Sequence, residues 1–162
     1  MQLRETRNAL NNFAKYVIKQ ARTNLTKSKK NSSKKLYNSL DYNINVSKDS
    51  ISVVFEMEDY GQFQDQGVSG KKTKYNTPFI YKSKMPPAKS FSEWVIRKGL
   101  KGTRDKQGRF IPRKSLQYLI ARSVFIKGIK PSMFFTKPFE TGFERLPKEL
   151  QEKFGIDIEN AI

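Results

Sequence analysis

Neither cysteine nor histidine occurs in the 162 residues. The first absence excludes a disulfide framework, a thiolate nucleophile and a cysteine zinc site. The second removes the imidazole base and the imidazole metal ligand on which most triad and metalloenzyme designs depend. Long apolar runs are missing too. The opening MQLRETRNAL has no apolar segment of the signal-peptide kind, and no window approaches the ~18 apolar residues of a membrane span. Acidic charge is scarce, with 15 Asp and Glu against 32 Lys and Arg and a formal charge of +17. Together these lacks point to a soluble, non-secreted basic domain without cofactor, metal or membrane contact, and they speak against most enzymes.

What the chain does have is aromatic surface: twelve Phe, seven Tyr and one Trp. That argues for a packed core, and the length suits a single domain over 1–162. Charge is segregated along it. Residues 41–66 carry about −5, residues 67–114 about +12, and the last stretch, 140–162, about −3. The surface should therefore be polarised rather than evenly cationic.

Hydrophobic spacing predicts a helix over roughly 3–25, with Leu10, Phe13, Ala14, Val17, Ile18, Ala21 and Leu25 on one face and Lys15, Lys19 and Arg22 elsewhere. The lysine-rich TKSKKNSSKK that follows reads as a solvated linker. From Leu40 the period becomes two. Leu40, Tyr42, Ile44 and Val46, then Ile51, Val53, Phe55 and Met57, alternate with polar residues around the turn SKDS, the pattern of a β-hairpin with one buried face. Residues 67–89, rich in Lys, Gly and Pro, read as a long mobile loop of the kind that is functional or ordered by a partner. Ser90-Phe91-Ser92-Glu93 has the form of a capping box that opens a short helix with Phe91, Trp94 and Val95 inward.

A second basic loop, KGTRDKQGRFIPRK, leads to a helix over about 115–127 with Leu116, Leu119, Ile120 and Val124 on one side. The pattern V-x-x-K-G-[LI]-K occurs at 95–101 and again at 124–130, and it reads as one glycine helix stop used twice. Met133-Phe134-Phe135 should be a buried strand or an anchoring bend. Phe139, Phe143, Leu146 and Leu150 keep one helical face with a break at Pro147, and residues 155–162 look like a C-terminal arm. The whole is an α+β domain: a small antiparallel sheet built on a hairpin, packed against an N-terminal helix and two to three further helices.

Three chemistries compete for these residues. Glu56, Glu58, Asp59 and Asp65, beside Lys71, Lys72 and Lys74, are hard oxygen ligands suited to a divalent-metal nuclease. Glu56 and Glu58, however, fall on the solvent face of the second strand, where carboxylates are expected without any metal. No Gly-rich phosphate loop is present. The basic segments are the stronger candidate. Lys71, Lys72, Lys74, Lys82, Lys84, Arg97, Lys101, Arg104, Lys106, Arg109, Arg113 and Lys114, interleaved with Tyr75, Tyr81 and Phe110, suit contact with a phosphate backbone or an acidic protein neighbour. No helix-turn-helix, zinc finger or RNA-binding signature accompanies them. Phe134, Phe135 and Phe139 exceed what a small core needs, so one or two of them suit a subunit contact.

Three segments in order carry a resemblance: Ser33-Lys34-Lys35-Leu36-Tyr37-Asn38-Ser39-Leu40 before the hairpin, Tyr60-Gly61-Gln62-Phe63-Gln64-Asp65-Gln66-Gly67-Val68 after it, and Lys130-Pro131-Ser132-Met133-Phe134-Phe135-Thr136-Lys137-Pro138-Phe139 before the last helix. In that order they resemble the head–tail joining and tail-component proteins of tailed bacteriophages, the group similar to the tenth gene product of phage HK97. Lysine stands where that group usually has glycine in the first segment, and Val68 where it has a hydroxyl residue in the second. The resemblance implies a non-enzymatic virion protein that assembles in the host bacterial cytoplasm. It would form a homo-oligomeric ring at the neck or tail, contacting a portal or adaptor protein and tail proteins and surrounding genomic DNA with non-specific contacts. Tyr60, Phe63, Asp65 and Gly67 would then shape the hairpin exit, and Phe134, Phe135 and Phe139 would anchor the C-terminal helix. The alternative is a free nucleic-acid-binding protein that uses its basic loops on the phosphate backbone.

Overall fold

The computed structural model describes residues 3–28, 33–47, 50–100 and 104–161. In chain order the elements are α1 (Arg4–Lys27), α2 (Lys35–Ser39), β1 (Asp41–Val46), β2 (Ile51–Glu56), α3 (Gly61–Gln66), a 3-10 turn at Ala88–Phe91, α4 (Ser92–Arg97), α5 (Arg113–Lys127), α6 (Thr136–Phe143) and α7 (Leu146–Glu159). Seven α-helices and one two-stranded antiparallel sheet among the described residues make the protein α+β. Two units are distinguishable, one of Met1–Gly61 with Met133–Ile162 and one of Gln62–Ser132, the latter an insertion in sequence.

In the first unit α1 buries the stripe that its sequence spacing implies: Ala9, Leu10, Phe13, Ala14, Val17, Ile18, Ala21 and Leu25. Against that stripe pack the hairpin, α6 and α7. Hairpin register follows the alternation, with Tyr42 opposite Phe55 and Ile44 opposite Val53. These four are half-buried, whereas Asn43, Asn45, Ser52 and Val54 face solvent. Phe13 meets Phe55 and Phe139 edge-on at 6.1 and 5.6 Å between ring centroids. Phe134 joins Ile18, Ala21, Leu25, Leu36 and Leu40 in a second apolar cluster. The run at 133–135 is therefore a bend into α6, not a strand, and Met133 turns it at φ +50°.

Residues 155–162 do not form an arm where they are described, because α7 continues to Glu159. What holds its end is Asp157, which is buried. Its two carboxylate oxygens accept the N–H groups of Glu5 and Thr6 at 2.9 and 2.8 Å, and one of them also accepts the Thr6 hydroxyl at 2.7 Å. The first turn of α1 has no side-chain cap of its own. Asp157 supplies one from the other end of the chain, and its charge opposes the positive end of the helix dipole. Burial alone would raise the Asp157 carboxyl, but the backbone N–H groups of Thr6 and Glu5, with the Thr6 hydroxyl, bring it below the ordinary carboxylate range.

The sign of the pH effect follows from that direction. A lowered folded-state value stabilises the protein above the ordinary carboxylate range, and the contribution disappears as pH falls through the folded value. Asp157→Ala should therefore lower Tm by roughly 3–8 °C at pH 7. At a pH below the ordinary carboxylate range, as the folded value is approached and passed, the gap from wild type should narrow. Paired thermal melts at the two pH values check this.

In the second unit α5 packs on α4 and the 3-10 turn. Three expectations fail here. Ser90 does not open a capped helix: α4 starts at Ser92, behind the 3-10 turn, with no side-chain cap bond. Trp94 is not inward, being 40% exposed, because a six-residue helix turns one side chain fully inside, and that residue is Val95 at 1%. On α5, Leu119 is exposed and the buried position is Ala121.

Candidate functional site

The stretch 67–89 lacks long regular elements, but its first half is closely held. Val68 and Ile129 exchange both backbone hydrogen bonds, at 2.9 and 2.8 Å. Ser69 donates to Phe79 and accepts from Tyr81, while Lys71 and Lys72 donate to Phe125 and Ile126 at the end of α5. The buried Ser69 hydroxyl donates to the Tyr75 carbonyl and accepts the Tyr75 N–H. Such crossing of backbones needs small residues. A Cβ on Gly70 would strike the Ile126 carbonyl and the Gly128 N–H, and one on Gly128 would strike the Val68 carbonyl. Gly67 has φ +76° and passes equally close to Ile129 and Pro131.

The repeated V-x-x-K-G-[LI]-K therefore ends two helices in two ways. At 95–101 it makes the expected stop: Gly99 has φ +63°, Gly99 N–H donates to Ile96 and Leu100 N–H to Val95. At 124–130 Ile129 instead pairs with Val68, and Gly128 adopts φ +74° with ψ −167°. Tertiary pairing overrides the local signal.

The structure sorts the predicted cations by what already holds them. Arg97 pairs with Glu93 one turn away. Arg109 pairs with Asp105 at 2.8 Å, and Arg104 donates to the Gly108 carbonyl at 2.7 Å, closing a tight turn in which Arg104 and Phe110 form a bridge. Asp105 lies below the ordinary carboxylate range, chiefly because the Arg109 N–H donates to it; burial opposes this, and the Arg109 side chain and the Gln107 N–H add to the lowering. Lys71 sits over the Phe125 ring at 5.9 Å. Lys72, Lys74, Lys82, Lys84, Lys106, Arg113 and Lys114 are exposed, and no ion pair engages them among the described residues. Lys101 lies outside the described residues. Lys71 and Lys72 join the C-terminal end of α5 and Arg113 opens its N-terminal end, about 20 Å away along the axis.

Phe63, 40% exposed, stacks edge-on to Phe79 at 4.7 Å, Tyr60 is 39% exposed, and Asp65 is buried. Phe63 and Phe79 line a groove of about 430 Å³ with Val68 and Ile129. In the first unit Phe134 is 1% exposed, whereas Phe135 and Phe139 are half-buried within a ladder that runs on to the half-exposed Phe143. Of the acidic residues, Glu56 accepts from Asn43 and Glu58 pairs with Lys35 at 3.5 Å. No group of three or more Asp or Glu among the described residues could hold a metal ion, and no described helix is long and apolar enough to cross a membrane.

One feature was not singled out from the sequence: an open cleft of about 580 Å³ along α1, closed on its other side by α2 and the start of β1. Lys15, Lys19, Arg22 and Lys27 line it, with Tyr37 and Tyr42. The available signal was the spacing of Lys15, Lys19 and Arg22, which recur once per turn beside the apolar stripe. Comparison with known proteins adds no neighbour: no family model, no curated protein and no solved structure matches the chain.

Proposed function

We propose that the protein is a structural virion subunit of a tailed bacteriophage, a head–tail connector or tail-completion protein without catalytic activity. It assembles into a homo-oligomeric ring at the neck, joins the portal to the tail and leaves a channel for DNA. One observation carries this reading beyond the order of the motifs. Two of the three resembling segments, the first and the third, supply one apolar cluster, and the second packs beside it at Gly61. Leu36 and Leu40 come from the first and Phe134 from the third. Gly61 of the second is packed so that a Cβ there would lie 2.9 Å from Leu36 and 2.6 Å from the Met57 sulfur. Residues of the resembling segments thus build the core of the first unit together with Ile18, Ala21 and Leu25 of α1. The exposed cations of 67–114 are available to an acidic neighbour, and a heterologous contact of that kind is what closes a ring.

An amber mutation in the gene of the phage that encodes the chain tests this. Accumulation of DNA-filled heads and separate tails, restored to joined particles by adding the purified protein, is the expected result. Normal joined, infectious particles made without the protein would refute it. A second reading, a free nucleic-acid-binding protein, draws on the exposed Trp94, Phe110 and Tyr118 in the strongly basic second unit.

A further inference from the structure

We propose that the cleft along α1 binds a short single strand of nucleic acid, with the phosphates on the helix side and bases against the tyrosine wall. Arg22 anchors the helix wall of the cleft. Its Nε donates to the Tyr37 carbonyl at 3.2 Å, its Nη2 donates to the Leu40 carbonyl at 2.8 Å, and its guanidinium lies 5.3 Å over the Tyr37 ring. These partners fix the side chain without neutralising it, because both hydrogen bonds go to uncharged carbonyls. An arginine held in this way keeps its full charge and loses little conformational freedom on meeting an anion.

Lys15, Lys19 and Lys27 extend that charge into a ladder. Lys15 and Lys19 lie close together around α1 and Lys27 about 80° further round; all three line the cleft over about 18 Å, and no carboxylate among the described residues pairs with any of them. Asp41 is the one acidic residue lining the cleft, and its carboxylate accepts the Tyr42 N–H. The opposite wall carries Tyr37 and Tyr42, both half-buried against the apolar cluster. Tyr42 is held by its hydroxyl, which donates to Asn11 at 2.6 Å, and Tyr37 by Arg22. A ladder of cations facing fixed rings is the arrangement that takes a single strand, since phosphates pair with the cations while unpaired bases stack. A duplex hides its bases from such a wall. The volume of about 580 Å³ admits two or three nucleotides, not a folded domain. None of these residues belongs to the basic loops of the second unit, and the proposal stands apart from the virion role.

Fluorescence anisotropy with a labelled twelve-residue oligothymidylate tests it on the full-length protein. Lys15→Gln/Lys19→Gln/Lys27→Gln should weaken binding at least tenfold and lower the slope of log K against log salt by about 2. Tyr37→Leu, which keeps the carbonyl that Arg22 uses, should weaken it about tenfold with the slope unchanged. Lys137→Gln/Lys148→Gln, exposed cations of the first unit outside the cleft, should stay within about threefold of wild type, and the loop variant Lys72→Gln/Lys106→Gln/Lys114→Gln should lose less than the cleft variant. Thermal melts of each variant confirm that it folds. Loss in the loop variant with retention in the cleft variant would overturn the proposal. So would equal affinity for a duplex of the same length, equal competition by a poly-glutamate peptide, or no binding at about 50 mM salt.

Discussion

Gly128→Ala is expected to unfold the second unit, whereas Gly99→Ala, in the same local sequence, should be tolerated. Both glycines have positive φ, +74° and +63°. At Gly99 that is the ordinary left-handed helix stop, and a Cβ there would meet nothing within 4 Å. Its replacement should cost about 1 kcal/mol. At Gly128 the ψ of −167° adds a conformation that is essentially reserved to glycine, worth about 1–3 kcal/mol by itself. A Cβ would also press on the Val68 carbonyl and lie 2.6 Å from the Gly70 N–H. Backbone cannot yield as a flexible side chain can, so Val68 and Ile129 would have to part. A total above about 4 kcal/mol is expected for Gly128→Ala, read by urea melts and by hydrogen exchange confined to 62–132. Similar losses for the two variants would show that the backbones at 68–70 and 128 do not approach as described.

The second large effect is in the first unit. Phe134→Ala should destabilise by about 3–5 kcal/mol, because the side chain is 1% exposed and truncation leaves a cavity among Leu25, Leu36 and Leu40. Phe143→Ala provides the contrast. That ring is 52% exposed and stacks only on Phe139 in the ladder, at 5.7 Å, so its loss should cost less than about 1 kcal/mol. Equal losses would mean that the cluster joining α1 with the first and third resembling segments is not the core of this unit.

How much was legible in the sequence divides along the same line. α1 and the hairpin follow from spacing because each of their contacts is prepared locally. Eight buried residues recur at helical period, and Tyr42 and Ile44 against Phe55 and Val53 recur at period two. Pro147 marks the break between α6 and α7 for an equally local reason, its missing N–H. Within the insertion 62–132 the helix expected over about 115–127 is observed as α5, whereas the fold of the stretch from 67 escaped because its order comes from single backbone pairings between distant residues, such as Val68 with Ile129, which leave no periodic trace. Asp157 escaped for the same reason: nothing near it in sequence indicates that it caps a helix more than a hundred residues away. The cleft was half-legible. Lys15, Lys19 and Arg22 stand on a helix face that any reading would leave to solvent, and it is the partner wall of Tyr37 and Tyr42 that turns the face into a site. The basic loops, conspicuous in sequence, prove partly occupied by their own structure, with Arg97, Arg104 and Arg109 engaged within a few residues of themselves.

The central claim is that this chain is a neck or tail subunit of a virion, and immunogold labelling of purified phage particles, with mass spectrometry of the same particles, tests it most directly. Label concentrated at the head–tail junction, with peptides of the chain recovered in ring-like copy number, is the predicted result. Intact particles that carry neither label nor peptides would contradict it.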